Sequence, residues 1–192
     1  MSANFSIKIR GVESVLKRLD WNKNIAPQVQ KAFDNFGMAV EAQAKQNAPV
    51  DEGALRSAIY HKSVSLGVEV GCAIEYAAYL EFGTRKFAAS YVNQLPAQWR
   101  ELAARSKGGR GGSWDEFVKR ITGWVIRKGI SATYTKGGSA SKSKSAIAAQ
   151  HQAAYLIARS ILINGIKAQP YLKPAVDVNT KYLLRALNSI KI

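Results

Sequence analysis

The segment from Ala48 to Thr84 limits the possible folds of this chain more than any other part of the sequence. It begins at Pro49, which cannot continue a helix and therefore ends the helical pattern before it. Between residues 60 and 72, apolar or large side chains recur at every second position, which is the period of a strand with one buried face. Leu66-Gly67 interrupts this run and predicts a hairpin. Residues 74–82 are too aromatic for a solvated loop, so another part of the chain must cover them. We expect the 170–175 link and the helices flanking it to do so.

Apolar periodicity predicts the elements on either side of this segment. Alternating apolar and polar residues predict a strand over residues 4–10. Apolar residues three and four apart predict helices over residues 12–19, 27–47, 88–104, 113–128, 146–164 and from 174 onwards. The sequence therefore predicts an α+β fold. In it, a small antiparallel β-sheet from the N-terminal strand and the 57–72 hairpin is packed by the long N-terminal helix and the C-terminal helices.

The length and composition suit a single folded domain. The chain has 192 residues, of which 47% are apolar, which is enough to build a core. We expect one domain over residues 1–192, with a basic, helical and loop-rich insertion at about 88–145. No apolar run reaches about 18 residues and no signal peptide is recognisable, so we expect a soluble protein made in the cytoplasm. The one cysteine, Cys72, is expected to be buried and inert.

The net charge is +15, and the basic excess is concentrated in the second part of the chain. Residues 1–52 carry 7 Lys or Arg against 6 Asp or Glu, whereas residues 53–192 carry 21 against 7. The glycine-rich segment 106–112 predicts a mobile linker, and the small, polar segment 135–145 predicts disorder. Basic residues of these loops are expected to contact acidic surfaces of neighbouring proteins. They are Lys107, Arg110, Lys136, Lys142 and Lys144.

A basic DNA-binding accessory protein of a phage or its host is the alternative that this charge allows. Residues 100–144 hold 11 Lys or Arg against 3 acidic residues. Trp99, Trp114, Trp124 and Tyr134 are interleaved with them, as on a phosphate-binding surface with stacking aromatic residues. Trp114 and Trp124, however, fall on the apolar face of a predicted helix, which favours a place in the core. We therefore expect the basic loops to meet proteins more than DNA.

The sequence shows no pattern that would support catalysis or bind a cofactor or metal. His61 lies in a predicted strand and His151 in a distant helix, with no Cys or carboxylate at metal-ligand spacing. Neither a phosphate-binding glycine pattern nor a G-x-S-x-G motif is present. The adjacent carboxylates Asp51-Glu52 and Asp115-Glu116 suit a turn and a helix N-terminus better than acid–base chemistry. We therefore expect a protein that is not an enzyme and has no cofactor.

Three groups of residues follow one another in the chain. They are Ala48-Pro49-Val50-Asp51 with Gly53 and Leu55-Arg56; Tyr76 and Tyr79 with Glu81-Phe82-Gly83-Thr84; and Pro170-Tyr171-Leu172-Lys173-Pro174-Ala175. Together they resemble the tail-completion, or head–tail joining, proteins of long-tailed bacteriophages, most clearly over residues 25–87 and 146–190. The chain differs from these proteins at Glu52, where they often have Thr, and at Tyr171 and Lys173, where they often have Phe and Arg.

The resemblance implies a structural protein of the virion neck or tail that is assembled in the host cytoplasm. It implies a protomer that forms a ring, usually a hexamer, between the tail tube or tail terminator and the head connector. DNA passing through the channel is a further candidate contact, and no membrane is implied. We expect the ring to bury apolar surface from the 153–163 helix and the aromatic segment. The residues predicted at a subunit or partner interface are Tyr76, Tyr79, Glu81, Phe82, Thr84, Arg85, Tyr171 and Lys173.

Overall fold

A computed structural model describes residues 5–8, 25–105, 113–138 and 140–190. The elements in chain order are β1 (Phe5–Lys8), α1 (Ile25–Asn47), α2 (Ala54–Ala58), β2 (Ile59–Val64), β3 (Gly67–Cys72), α3 (Ala77–Phe82), α4 (Arg85–Val92), α5 (Ala97–Arg105), α6 (Trp114–Arg127), α7 (Lys144–Asn164) and α8 (Leu172–Asn188). The helix predicted over 12–19 lies outside the described residues. So do Lys107 and Arg110 in the predicted linker.

The strands form one antiparallel sheet in the order β1-β3-β2. β3 lies in the middle, where Cys72 is paired with Phe5 of β1 and with Ile59 of β2. The turn between β2 and β3 contains Leu66, which has a positive φ of 52°. The sheet and the helices packed around it confirm the predicted α+β fold, and the turn confirms the hairpin predicted at Leu66-Gly67.

The helix α1 lies across the sheet with one apolar face against it. Phe33, Phe36 and Val40 of this face are buried, at the helical spacing that predicted it. Gly37 lies where the helix comes closest to the sheet, because a Cβ at this position would be 2.4 Å from Val68 Cγ2. A larger residue would push the helix away, so this glycine sets the distance between the two layers.

The last helix, α8, packs along α1 and completes the core. Its buried residues are Leu172, Ala175, Asn179 and Leu183. The same continuous cluster of buried side chains includes Trp99 of α5. The segment predicted as an insertion, at about 88–145, is therefore joined to the core through α5.

The helices α6 and α7 pack against each other beside this core. Their buried residues are small or of medium size, and they are Thr122, Val125, Ala146, Ala154 and Ala158. Residues 153–163 of α7 are apolar nearly all round, which is typical of a helix in the centre of a core or between subunits. Of its 21 residues, the three alanines are the buried ones, so α7 is not central to the core of the protomer.

The connection between α6 and α7 is more ordered than its composition predicts. The sequence predicts disorder over 135–145, but a bridge between Tyr134 and Ala140 closes a turn in this connection. Ser143 then caps α7, which begins at Lys144, and its side chain accepts a hydrogen bond from the backbone of the first turn. For the described residues of this segment the prediction of disorder is wrong, because glycines and serines supply turn and cap chemistry here.

Candidate functional site

The motifs around Glu81 and Tyr171 meet in the folded chain. Glu81 is fully buried. Its Oε2 accepts hydrogen bonds from the backbone N–H groups of Tyr171 and Leu172, at 2.8 and 2.9 Å. Its Oε1 accepts a hydrogen bond from the backbone N–H of Lys173 at 3.0 Å. One carboxylate therefore joins two segments that lie 90 residues apart in the sequence.

These bonds satisfy the free donors at the start of α8. The N–H groups in the first turn of a helix have no partner within the helix. Pro174 has no N–H, so the free donors of this turn are those of residues 171–173, and Glu81 accepts from each of them. The carboxylate also lies at the positive end of the helix dipole. Burial raises the pKa of Glu81, while the three N–H donors act against this shift.

The segment that follows α7 covers the aromatic segment, as the sequence requires. We call residues 80–84 the strap and residues 165–169 the return segment. Gln169 N–H donates to Leu80 O at 2.7 Å, and Thr84 N–H donates to Ile166 O at 2.9 Å. The Ile166 N–H in turn donates to Thr84 Oγ1 at 2.7 Å. The strap and the return segment are thus hydrogen-bonded side by side.

Two glycines allow this close approach. Gly83 has a φ of 73°, and a Cβ on it would be 2.8 Å from Ile166 O. Gly165 has a φ of 92°, and a Cβ on it would be 2.2 Å from Thr84 O. A side chain at either position would meet backbone atoms that cannot move without breaking the hydrogen bonds between the two segments.

Three of the predicted interface residues are buried within the protomer. Glu81, Phe82 and Tyr171 each have an exposed fraction of 4% or less. The ring of Phe82 packs edge-on against that of Trp99, with the centroids 6.3 Å apart. Burial raises the pKa of Tyr171, and the neighbouring Cys72 and Glu81 act in the same direction. These side chains contact their own chain and are not exposed on the single protomer.

The other predicted interface residues are more accessible. Tyr76 is 43% exposed, and Tyr79 is half-buried beside it. Arg85 is exposed directly after the strap, where it has a positive φ of 52°. Thr84 is half-buried in the strap, and Lys173 forms an ion pair within α8. Tyr76 and Arg85 are therefore the members of this set that are most available to a partner.

A cleft of about 820 Å³ lies between the core and the α6–α7 pair. Its volume falls in the range of roughly 300–1,000 Å³ that is typical of ligand-binding clefts. The large apolar residues that line it include Tyr76, Leu80, Phe87, Ile121, Trp124 and Ile157. Arg120 and Lys167 also line it. Trp124, which the sequence places in the core, is half-buried in this cleft, and the sequence does not predict the cleft itself.

Ionic contacts connect the end of α6 to the turn before α2. Arg127 Nη2 lies 2.6 Å from Asp51 Oδ2, and Arg127 Nη1 lies 3.2 Å from Glu52 Oε1. Lys128 Nζ donates to Val50 O at 3.1 Å. The hydrogen bond from Arg127 lowers the pKa of Asp51. We call this set of contacts the latch, because it holds one end of the α6–α7 pair against the core beside the cleft.

A histidine–carboxylate contact lies on the sheet, away from the cleft. His61 Nδ1 contacts Glu41 Oε2, which also accepts the backbone N–H of His61 at 3.1 Å. Burial acts to raise the pKa of Glu41, but hydrogen bonds from Lys45 and His61 outweigh it and leave the pKa lowered. Neither His61 nor Glu41 lines the cleft. Glu41 gives the backbone N–H of His61, on the edge strand β2, a hydrogen-bond acceptor. The contact is therefore explained as part of the fold.

The residues that the structure describes form neither a metal site nor an exposed thiol. Among these residues, no group of three or more His, Cys, Asp or Glu side chains could hold a metal ion. Cys72 is buried, as predicted, and burial raises the pKa of its thiol. Within the same described ranges, no helix is long and apolar enough to cross a membrane.

The described residues of the predicted basic loops are exposed. Lys136, Lys142 and Lys144 lie at the surface, between α6 and the start of α7. Lys142 lines a shallow depression together with Tyr134, which is 62% exposed. The structure does not bring these lysines to the strap or to the cleft, so they form a separate basic surface.

Comparison with protein-family models matches part of the chain to one family. No curated protein and no solved structure matches the chain. A family model matches residues 13–83, a range that includes α1, the hairpin and Glu81 of the strap. Over this range the chain is similar to the family described as "Bacteriophage HK97-gp10, putative tail-component", which confirms the resemblance to phage tail proteins seen in its motifs.

Proposed function

We propose that this protein is a structural component of a bacteriophage tail that self-associates into a ring at the junction of tail tube and head connector. The family match supports the assignment to the tail. The observation that carries self-association is the outward face of α7. There, Tyr155, Leu156, Leu162 and Ile163 are between 48 and 61% exposed.

This face of α7 has the properties of a protein contact. Tyr155 and Leu162, like Leu156 and Ile163, are seven residues or about two turns apart on the same side of the helix, with the exposed Arg159 between the two pairs. The sequence of α7 contains no Asp or Glu, so its exposed side is apolar and weakly basic. Large apolar side chains that are exposed together on one face of a helix are typical of interaction sites. Fully burying one such side chain contributes roughly 1.5–3 kcal/mol, so several of them can stabilise an assembly.

The remaining parts of the proposal follow from the family resemblance and the charge. The ring would be a hexamer in the virion neck, assembled in the host cytoplasm. Its exposed lysines, Lys136, Lys142 and Lys144, would contact acidic surfaces of the tail terminator, tail tube or head connector. In this proposal the protein has no catalytic role. Residues 1–192 would form one domain, with the segment at about 88–145 as an insertion.

The mass of the purified protein in solution, together with electron micrographs of labelled phage particles, tests this proposal. We expect a mass that is a multiple of the protomer mass of 21.0 kDa, with label at the neck or tail. The double variant Leu156→Gln/Ile163→Gln should have a lower mass, whereas Val178→Gln, at an exposed apolar residue of α8, should not. A strict monomer that is absent from the particles would refute the proposal.

DNA binding is the second candidate, and one observation favours it. Tyr134 is 62% exposed and lies next to Lys142 in the shallow depression, so an aromatic ring and a cation are presented together. Binding through phosphate contacts should weaken steeply as the salt concentration rises. Gel-shift measurements with the wild type and with Lys136→Glu/Lys142→Glu test this candidate. If the wild type does not bind DNA at low salt, DNA binding is refuted as a function of this protein.

A further inference from the structure

We propose that a groove between α3, α4 and α5 binds an acidic amphipathic helix of another protein. The groove has a volume of about 560 Å³. It shares Tyr79 with the cleft but is otherwise lined by different residues. Because the groove lies within a single protomer, binding there does not depend on the ring.

The floor of the groove belongs to the buried part of the fold. Ala78 and Phe82 of α3 and Ala103 of α5 line the groove and are buried. Gly83 and Thr84 also line it, and both belong to the strap, which is hydrogen-bonded to the return segment. The groove is therefore already formed in the folded chain, and an occupant would not have to order its floor.

The apolar face of α4 is open to the groove. Arg85, Ala88, Ala89 and Val92 line the groove at the spacing i, i+3, i+4 and i+7, so they lie on one face of the helix. A helix with an apolar face normally buries it, but no residue of α4 is buried. The small alanine side chains would let a second helix come close, as in complexes in which a helix occupies a groove.

The helix α5 repeats this arrangement. Arg100, Ala103 and Ala104 line the groove at the spacing i, i+3 and i+4, which matches the first three lining residues of α4. Each of the two helices therefore contributes one guanidinium group together with two small apolar residues.

The groove is positively charged and has no acidic residue of its own. Arg85 and Arg100 are exposed, and none of the described residues that line the groove is Asp or Glu. Glu101, next to Arg100 in the sequence, is not among the lining residues. In the part of the chain that the structure describes, the ion pairs involve other cations. An occupant that covers the alanines would displace water from both arginines, and carboxylates beside its apolar face would replace that water.

A different, acidic protein fits these requirements better than a second copy of this chain. None of the described helices carries two Asp or Glu residues three or four positions apart, the spacing that would place them on one face. A second copy would also bring a net charge of +15 to a basic groove. The phosphates of DNA could pair with the arginines, but they would not cover the apolar lining.

The binding of synthetic peptides tests this site. The probe is a fluorescein-labelled peptide of about 14 residues, or four helical turns, with Leu on one face and Glu beside it. A second peptide has the same composition in scrambled order. In fluorescence anisotropy, the wild type should bind the amphipathic peptide about tenfold or more tightly than the scrambled one. Arg85→Glu/Arg100→Glu should weaken this binding about tenfold or more, and a peptide with Lys in place of Glu should bind this variant more tightly than the wild type.

Matched variants separate the groove from the total charge. Lys62→Glu/Lys119→Glu changes the net charge equally, at exposed residues outside the groove. It should bind as the wild type does at about 0.15 M salt, where charges more than about 8 Å away are screened. Ala89→Phe fills the groove without a change in charge and should weaken binding. Ser90→Phe, at an exposed residue of the same helix outside the groove, should not. Thermal unfolding of each variant shows that it is folded.

The site is refuted if the wild type binds both peptides equally or if folded groove variants bind as the wild type does. Amide exchange in α4 and α5 identifies another occupant. Protection there by a DNA duplex and not by the peptide would assign the groove to nucleic acid, and protection that appears when the protein alone is concentrated would assign it to a second copy. Either result would overturn the proposal. The mass of the wild type and its location in particles are measured independently, so failure of the peptide to bind would leave the proposed function standing.

Discussion

The strap and the latch both use carboxylates to hold distant parts of the chain together, but they do so in opposite environments. In the strap, Glu81 is fully buried and accepts three backbone hydrogen bonds. In the latch, Asp51 and Glu52 are exposed and meet Arg127 in water. Removing a buried acceptor leaves its donors without water or protein partners, whereas an exposed ion pair is readily replaced by solvent. The strap should therefore fix the fold, and the latch should only position α6 beside the cleft.

The same contrast appears in the apolar residues of the two regions. The core buries large side chains such as Phe33, Phe36 and Tyr171. The α6–α7 pair buries mainly small ones and leaves Tyr155 and Leu156 exposed. The first region has stable packing of its own, while the second keeps apolar surface that a neighbouring subunit could bury.

Replacement of Glu81 by alanine should have the largest effect. It would leave the N–H groups of residues 171–173 buried without an acceptor, and it would open a cavity. We expect the free energy of unfolding to fall by about 3–5 kcal/mol. Urea unfolding followed by circular dichroism measures this loss. Glu81→Gln, which keeps the size and one carbonyl oxygen, should lose less.

Glu101→Ala provides the control for Glu81. This carboxylate is exposed on α5, and its removal should change the free energy of unfolding by less than about 0.5 kcal/mol. Amide exchange adds a local measurement, because the N–H groups of residues 171–173 should exchange faster in Glu81→Ala. Similar losses of stability in the two alanine variants would contradict the role assigned to the strap.

Gly165→Ala should have the next largest effect, and Gly53→Ala is its matched control. Both glycines have positive φ, 92° at Gly165 and 80° at Gly53. A Cβ at Gly53 would have no heavy atom within 4 Å, whereas at Gly165 it would be 2.2 Å from Thr84 O. In Gly53→Ala the free energy of unfolding should therefore fall by about 1–2 kcal/mol, because alanine disfavours the left-handed backbone conformation. In Gly165→Ala the free energy of unfolding should fall by about 1–3 kcal/mol more than in Gly53→Ala, because the strap must move away from the new side chain.

Thermal or urea unfolding of the two glycine variants gives the difference directly. A larger loss at Gly165 would show that the contact between the strap and the return segment contributes to stability. Equal losses would mean that the two segments separate without cost, and the strap would then be no more rigid than the latch.

Local patterns in the sequence predicted the elements of the core but not the hydrogen bonds that join them. The helix α1 and the hairpin at Leu66-Gly67 have periods and turn residues that act over a few positions. The motif containing Glu81 and the motif containing Tyr171 were recognised together through the family resemblance. Their hydrogen bonds were not predicted, because a carboxylate that caps a helix 90 residues away has no local signature.

The cleft and the latch were missed for a related reason. Asp51-Glu52 suits a turn, and the basic pair Arg127-Lys128 is typical of the C-terminal end of a helix, so each pair is explained without the other. Nothing in the sequence required the two pairs to meet. Trp124 lies on the apolar face that the helical period predicts, but that face lines a cleft and not the core.

Arg127→Ala should have the smallest effect on global stability and a measurable local one. Its side chain and those of Asp51 and Glu52 are solvent-exposed, so thermal unfolding should change little. The end of α6 should separate from the core more often, and its amide groups should exchange faster in the variant. Lys119→Ala, at an exposed residue of the same helix, should leave this exchange unchanged.

The pH and salt dependence of that local effect identifies its cause. The hydrogen bond from Arg127 lowers the pKa of Asp51 below its ordinary value of 3.8. The stabilisation is therefore fully present above pH 3.8 and is lost as the pH falls through the lowered pKa. The difference in exchange between the wild type and Arg127→Ala should shrink in this acid range and in high salt, because the ion pair is screened. A difference that persists under both conditions would mean that Arg127 holds α6 by packing, and the latch would then resemble the strap more than its exposure suggests.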